Sequence, residues 1–576
     1  MTTGAAEKDH LLCCCFFVSS ELLLWRACLK FRRPWFFFLF SILGVATLLL
    51  GQACSPKGSF KPYSDTGNET GSATSGPDSY FGYQWYLGGT SVSASLNIDT
   101  SSVWEAGNLG QGVRIAVVDP SSIYLAHSDL SDNKDLTKSF NFLMPTRGTD
   151  TTLTDGESHG TCVAGVIGAR DQNGKGIRGV ASRASISART TSGISSDIFD
   201  ALTYKASETD VSSNSYGPPD DVAELNQYYI HDDFKFGISQ GLSSGRGGLG
   251  TVYVWAAGNG RQLSDRSNYD GFASNFGVMS VCAVDQQGVV SFFSEAGSNL
   301  WVCAPGEDIP ATDYKGLNCG NTQGSWDDLP NAEYTKTFTG TSAAAPIVSG
   351  VSGLILKAAK DQNKNLGWRD VKMIIAESAG QSNSVSWQPT RIGFHDDYGF
   401  GVVNAAAAVA LVSSWVPVGN AAVLTKTLGT GYLGPTSSGS LSDAGDYLAM
   451  NNFTVNNALT ENGTTVFNSS ISYIEFVTLE VKLSHTDPGD LEISVVRTPI
   501  AGGAAATSKI TKPHSCRDSN LSATSCASKS NYVFEFGIAN FLGESAEGTW
   551  ELKIRDGRAN GSVGSVSGWR LKFYGH

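Results

Sequence analysis

Val113-Arg114-Ile115-Ala116-Val117-Val118-Asp119 is a short apolar run that stops on an aspartate. A run without polar alternation is what a parallel strand buried on both faces requires. Two similar runs follow, TVYVWAA at residues 251–257 and VMSVCAV at residues 278–284. Helix-like stretches lie between and after them, at residues 160–169, 197–205, 341–360 and 368–378. Strand alternating with helix predicts an α/β domain, a parallel sheet flanked by helices, over residues 78–413.

Beyond a connector at 414–444 the texture changes. Residues 474–483 (IEFVTLEVKL), 491–496, 550–554 and 569–574 alternate with period two. Turn residues separate them, as in Thr486-Asp487-Pro488-Gly489-Asp490. This pattern predicts an antiparallel all-β sandwich over residues 445–576. The start of the chain differs again. Lys30, Arg32 and Arg33 precede an apolar run at 35–50, and Gly51-Gln52-Ala53-Cys54 follows. That order is the layout of an export segment, residues 1–53. The run is about 16 residues, shorter than the ~20 of a spanning helix. Cys54 stands where a bacterial lipoprotein carries its lipidated cysteine, although Gly51 replaces the usual Leu. Lipidation at Cys54, plain cleavage and an uncleaved anchor all place the mature chain outside the cytoplasm. Residues 54–77 are a Ser/Gly-rich linker.

The 576 residues are 41% hydrophobic and 16% charged, with 65 glycines and a net charge of −13. Such an acidic chain is not expected to bind nucleic acid, which asks for a basic face. Of 11 cysteines, six lie beyond residue 54, and no C-x-x-C pair points to zinc. Cys516–Cys526 and Cys303–Cys319 close the shortest loops and are the expected disulfides. Cys162 and Cys282 lie in apolar segments and read as small buried residues.

The chemistry resides in three flanks. Asp119 ends a strand, His159 opens a helix in His159-Gly160-Thr161, and Ser342 lies in Gly340-Thr341-Ser342-Ala343-Ala344-Ala345-Pro346. A serine hydroxyl needs a base within hydrogen-bond reach, and an imidazole held by a carboxylate supplies one. Strand ends and helix starts at one edge of a parallel sheet can bring such residues together. The order Asp, His, Ser with these flanks resembles the subtilisin superfamily. Ala256-Ala257-Gly258-Asn259-Gly260 adds the family's oxyanion donor at Asn259. Gln84-Trp85-Tyr86-Leu87, Ser213-Asn214-Ser215-Tyr216-Gly217-Pro218, Gly245-Arg246-Gly247-Gly248 and Asn268-Tyr269-Asp270-Gly271 are similar to the kexin/furin branch. His485-Thr486, Gly489-Asp490-Leu491 and residues 543–550 (GESAEGTW) resemble its P (Homo B) domain.

The resemblance implies a serine endopeptidase acting on proteins or peptides, with catalytic residues Asp119, His159, Ser342 and Asn259. Cleavage after Arg or Lys is implied by Asp220 and Asp270, which match the family's primary pocket, with Ser215, Tyr216 and Gly217 beside the substrate. Calcium is implied at Asp220, Asp265 and Glu295, and at a second set, Asp78, Asp129 and Asn173. The family's second carboxylate after the triad aspartate is absent, since Pro120 follows Asp119, and strict dibasic selection is therefore in doubt. Asp155 and Glu157 either compensate or form an exposed acidic loop. Family members carry a folding prodomain, whereas residues 55–77 are too polar to fold alone; unaided folding and a chaperone in trans are the two routes. The expected form is an extracytoplasmic monomer. Two other readings keep the same motifs, a broad-specificity degradative protease and an inert protease-like binding protein.

Overall fold

Apart from Arg114, every residue of the three runs read as buried strands is shielded from water in the computed structural model. It describes residues 76–88, 96–143, 147–149, 151, 158–192, 195–220, 232–314, 319, 329–418, 424–427, 439–447, 453–455, 459–461, 464–467, 471–500, 502–517 and 522–576. The export segment with Cys54, the linker to residue 75, Asp155 and Glu157 lie outside the described residues.

Seven strands form one parallel sheet. They are β1 (Arg114–Asp119), β2 (Phe140–Asn141), β3 (Ser185–Thr190), β4 (Val211–Asn214), β5 (Val252–Ala256), β6 (Val278–Val284) and β7 (Leu300–Pro305). Their order is β2-β3-β1-β4-β5-β6-β7. From β1 the chain goes to β2 at the edge, returns to β3 beside β1, then crosses to β4 on the other side of β1. The carboxyl edge beside β1 is therefore a topological switch point, where open sheets place their ligands.

Seven α-helices occur among the described residues: α1 (Ser101–Glu105), α2 (His159–Gly168), α3 (Ser195–Thr203), α4 (Asp232–Ser244), α5 (Thr341–Asp361), α6 (Trp368–Glu377) and α7 (Ala405–Leu411). α5 is the core helix. It is long and apolar enough to cross a membrane, yet 89% of its apolar window is buried inside the protein. Glycines let it approach the rest of the core; a Cβ at Gly350 would stand 2.6 Å from Val180 Cβ. Ser349 Oγ donates to Ser213 Oγ at 2.9 Å and so ties α5 to β4. An antiparallel ribbon, β8 (Ile309–Thr312) and β9 (Tyr334–Phe338), lies between β7 and α5 in sequence.

The C-terminal part is all β. One antiparallel sheet pairs Leu424–Thr427, Gly564–Gly575, Ile474–His485 and Lys529–Ile538, with Gly439–Leu441 alongside. The other pairs Phe453–Val455, Gly548–Asp556, Leu491–Thr498 and Ala506–Lys509. Gly548–Asp556 alternates buried and half-buried residue by residue, the signature of a sheet with one face inward. Trp550, Trp569, Phe534, Phe536 and Phe573 fill the space between.

The sandwich is fastened to the α/β part by charge and by rings. Arg369 of α6 makes a two-pronged ion pair with buried Glu475. Phe276 stacks on Tyr574 at 4.1 Å between ring centroids. The ammonium of Lys372 donates to the Phe276 and Val278 carbonyls and sits among the rings of Trp301, Trp368, Phe276 and Phe476.

The disulfide expectation needs correction. Cys516–Cys526 forms, but Cys303 and Cys319 do not pair with each other. Cys303 on β7 lies in register opposite Cys282 on β6 and is bridged to it. Cys319 is bridged to Cys162, 157 residues away. Loop length misled because strand register and helix packing, not sequence distance, brought these sulfurs together.

Candidate active site

Asp119 is the last residue of β1 and His159 the first of α2. His159 Nδ1 lies 2.8 Å from Asp119 Oδ2. With Nδ1–H donating to the carboxylate, Nε2 keeps its lone pair and can act as a base. The other carboxylate oxygen is held as well. Ser121 donates to Asp119 Oδ1 from its amide at 3.0 Å and its hydroxyl at 2.6 Å. Ser121 Oγ in turn accepts from the Gly160 amide at 2.7 Å. Gly160 is required here, because a Cβ would reach 3.0 Å from Asp119 Cβ and 2.6 Å from Ile123 Cγ1. The carboxylate is thus fully buried and fixed on both sides, while the imidazole remains 21% exposed at the surface of the site. The edge of His159 rests on the ring of Phe338.

Ser342 is the second residue of α5. The helix is preceded by Gly340 at φ 138°, a conformation that side chains rarely adopt. Pro346 has no N–H, so the Ser342 carbonyl loses its helical partner. Ser215 Oγ takes that place, donating to the Ser342 carbonyl at 3.1 Å, while Ser342 Oγ donates to the Ser215 carbonyl at 3.2 Å. A helix-breaking residue thereby stitches the serine to the segment that follows β4.

Asn259 follows β5 and faces the same serine turn. Its carbonyl oxygen accepts from Thr341 N at 2.8 Å and Thr341 Oγ1 at 3.0 Å. Its amide nitrogen donates to Asp220 Oδ2 at 3.1 Å.

A cavity of about 490 Å³ opens at Ser342 and Thr341. Ser215 to Gly217 and Ala256 to Asn259 line it, and Asp220, Asp265, Asp270 and Glu295 form an acidic cluster within the same lining. Burial pushes the Asp270 carboxyl up to about 7, against the bonds it accepts from the Phe272 and Ala273 amides, and Asp220 adds repulsion. Glu295 is pushed well above its ordinary range by burial first, then by Asp265, Asp220 and Asp270. Four carboxyl groups in one cluster repel each other unless a cation joins them. The donor set is all oxygen, which suits a hard cation such as Ca²⁺.

The second set also converges. Asn173 donates from its amide to Asp78 Oδ1 at 3.2 Å and from Nδ2 to Asp129 Oδ1 at 2.7 Å. The Ile177 amide donates to Asp129 Oδ2 at 3.0 Å. Burial pushes Asp78 up to about 6 and Asp129 up to about 7. Protein N–H groups serve carboxylates in both sets, but here an oxygen shell also requires the Asn173 carboxamide to be turned over. This set fits a cation less readily than the first.

The profile of the Subtilase family matches residues 110–401, more than half of the chain. The chain belongs to the subtilase family. The profile of the Proprotein convertase P-domain matches residues 474–573 of this subtilase. It is 29% identical to furin of Bos taurus over 508 residues, 86% of this chain and 58% of that protein. It is 28% identical to furin-like protease 2 of Drosophila melanogaster, over 87% of this chain and 28% of that one. The chain therefore spans less than two thirds of the length of these relatives. A crystal structure of the Aeromonas sobria serine protease with its chaperone shares the fold, at TM-score 0.69 and 22% identity, covering 88% of this chain and 96% of that one.

Sequence reading of this subtilase missed Ser121 and Thr341. Ser121 carried a signal, since a serine two residues after an aspartate often closes a turn on its carboxylate. Thr341 adjoins Ser342, but its hold on Asn259 joins residues far apart in sequence.

Proposed function

We propose that this subtilase is a calcium-dependent serine endopeptidase that cleaves proteins or peptides after Arg or Lys. The observation that carries this reading is the cavity lined by Ser342 together with Asp220, Asp265, Asp270 and Glu295. A guanidinium or ammonium entering it would meet carboxylates prepared in low dielectric, where charge pairing is strong. Asp270 and Asp220 face that side chain. Asp220, Asp265 and Glu295 would hold Ca²⁺, which when bound supplies the positive charge that lets them ionise side by side. Asp78, Asp129 and Asn173 would hold a second ion.

His159 Nε2 takes the Ser342 hydroxyl proton as Oγ attacks the scissile carbonyl, and Asp119 stabilises the imidazolium. The Ser342 N–H and the Asn259 amide donate to the oxyanion. His159 then protonates the leaving amine, and water attacks the acyl-enzyme by the same route. Pro120 supplies no carboxylate after Asp119, so the residue before the cleaved Arg or Lys is weakly selected. We place the catalytic domain at 78–413 and the P domain at 445–576, in an extracytoplasmic monomer. The three disulfides support an oxidising compartment.

The test is a fluorogenic peptide library varied at P1 and P2, with calcium and with EGTA, beside a Ser342→Ala control. Preference for P1 Arg or Lys that EGTA removes and the control lacks is the expected result. Equal cleavage of neutral or acidic P1 peptides would sink the basic pocket and favour a degradative protease. No cleavage, with no fluorophosphonate label on Ser342, would favour the inert binding protein.

A further inference from the structure

Beneath the helix that carries His159 lies a buried cluster that touches neither the cavity nor the oxyanion donors. Ser158 stands at the N-cap of α2, but its hydroxyl makes no bond to the helix's own amides. It donates instead to Asp313 Oδ1 and accepts from the Cys319 amide at 3.1 Å. The Cys319 amide also reaches Asp313 Oδ1 at 3.4 Å. Cys319 holds a φ of 55°, left-handed and costly for a side chain other than glycine. Its sulfur is bridged to Cys162, three residues after His159 and hence on the same helix face. Thr312, beside Asp313, donates from Oγ1 to the Thr161 carbonyl at 2.7 Å and packs against Gly165. Ser158, Thr161, Cys162, Thr312 and Asp313 have no exposure to solvent, and Cys319 has 6%.

A helix normally satisfies its first amides with its own cap. Here the cap hydroxyl is diverted to a carboxylate on the segment after β8, and a covalent bridge repeats the attachment one turn on. The first turn of α2, which sets the position of the imidazole, is therefore fixed from outside the helix. A displacement of about 1 Å in a catalytic group can cost about 10²-fold in rate.

Resting on the protease reading above, we propose that Asp313 and the Cys162–Cys319 bridge are positioning groups for His159, and that opening the bridge lowers the catalytic rate. A dithiol opens it by exchange: its thiolate attacks one sulfur, the Cys162–Cys319 bond breaks, and its second thiol closes a cyclic disulfide. The dithiol loses two electrons and two protons, and the protein gains two thiols. Neither group touches the substrate, so the effect appears in kcat and not in KM.

The experiment uses the full chain with calcium. Wild type is first labelled with a fluorophosphonate, which isolates Ser342 and His159 chemistry from substrate choice. An unlabelled, folded wild type overturns the protease reading and this proposal together. With labelling established, Asp313→Asn, Ser158→Ala, Ser158→Thr and Cys162→Ala/Cys319→Ala are compared by labelling rate, kcat, KM and the pH profile of kcat. The result expected is a fall of about 10–100-fold in kcat and labelling rate for Asp313→Asn, Ser158→Ala and the double alanine variant. KM stays constant, the acidic limb of the pH profile, which reports deprotonation of His159, shifts, and Ser158→Thr restores most of the rate. Wild type titrated with a dithiol, its thiols counted by mass, loses activity in step with opening of the bridge. Rates that stay at wild-type level in folded variants, or in chain shown to carry the open bridge, overturn the positioning role and leave the protease reading intact. So does a loss of activity that only follows the unfolded fraction.

Discussion

Asn259 illustrates how much one amide has to do. Its nitrogen is bonded to Asp220, a residue at the edge of the carboxylate cluster, and its oxygen is held by Thr341. One N–H of that nitrogen is used on Asp220 and the second remains for an oxyanion, so the Asp220 bond orients the donor. Asn259→Ala is expected to lower kcat by about 10²–10³-fold with little change in KM; burst and steady-state kinetics on an Arg substrate check it. A loss smaller than about tenfold would refute the oxyanion role. The residue types were legible in the sequence, and so was the convergence of Asp119 and His159. The Asp220–Asn259 bond was not, because it joins residues that follow two different strands.

Among the elements, α5 carries the largest share of the site's precision. A proline in its second turn removes the partner of the Ser342 carbonyl, and Ser215 replaces it. Pro346→Ala restores the missing N–H and sets the helix in competition with Ser215. Such a bond contributes about 0.5–1.5 kcal/mol, so acylation is expected to slow by up to about tenfold, with thermal stability equal to or above wild type. A lower midpoint in a thermal melt would contradict this account. α6 has a different duty, since Arg369 pairs with Glu475 across the boundary between the α/β and β parts. Truncating one member of a buried ion pair typically costs about 3–5 kcal/mol. Arg369→Ala is expected to lose about that much in denaturant unfolding, and to separate the transitions of the two parts. The strands and helices themselves were readable, because apolar runs bounded by glycine and polar turns leave few alternatives. The bridges were not, since sulfur pairing depends on register that no local pattern encodes.

For the whole molecule, the acidic clusters set the response to pH. Burial holds Asp270 and Asp129 up to about 7 and Asp78 up to about 6, so without a cation the folded chain binds protons that the unfolded chain releases. Stability of the metal-free chain then falls as pH rises from the ordinary carboxylate range near 3.8 through 7. Calcium is expected to reverse that slope, since it binds the ionised form. Thermal melts at pH 5 and pH 7.5, with calcium and with EGTA, check the sign; an EGTA sample more stable at pH 7.5 would refute it. The segment from Asp265 to Asp270 links this chemistry to the sandwich. Asp265 and Asp270 face the cavity, while Arg266 donates to the Ile510 carbonyl, Asn268 to the Gly537 carbonyl, and Tyr269 stacks on His514. Neighbouring residues of one short loop thus serve the cavity and the sandwich. A chimera carrying a foreign sandwich is therefore expected to reshape the Asp265–Asp270 loop even with Asp119, His159 and Ser342 retained, so the two parts are not freely exchangeable.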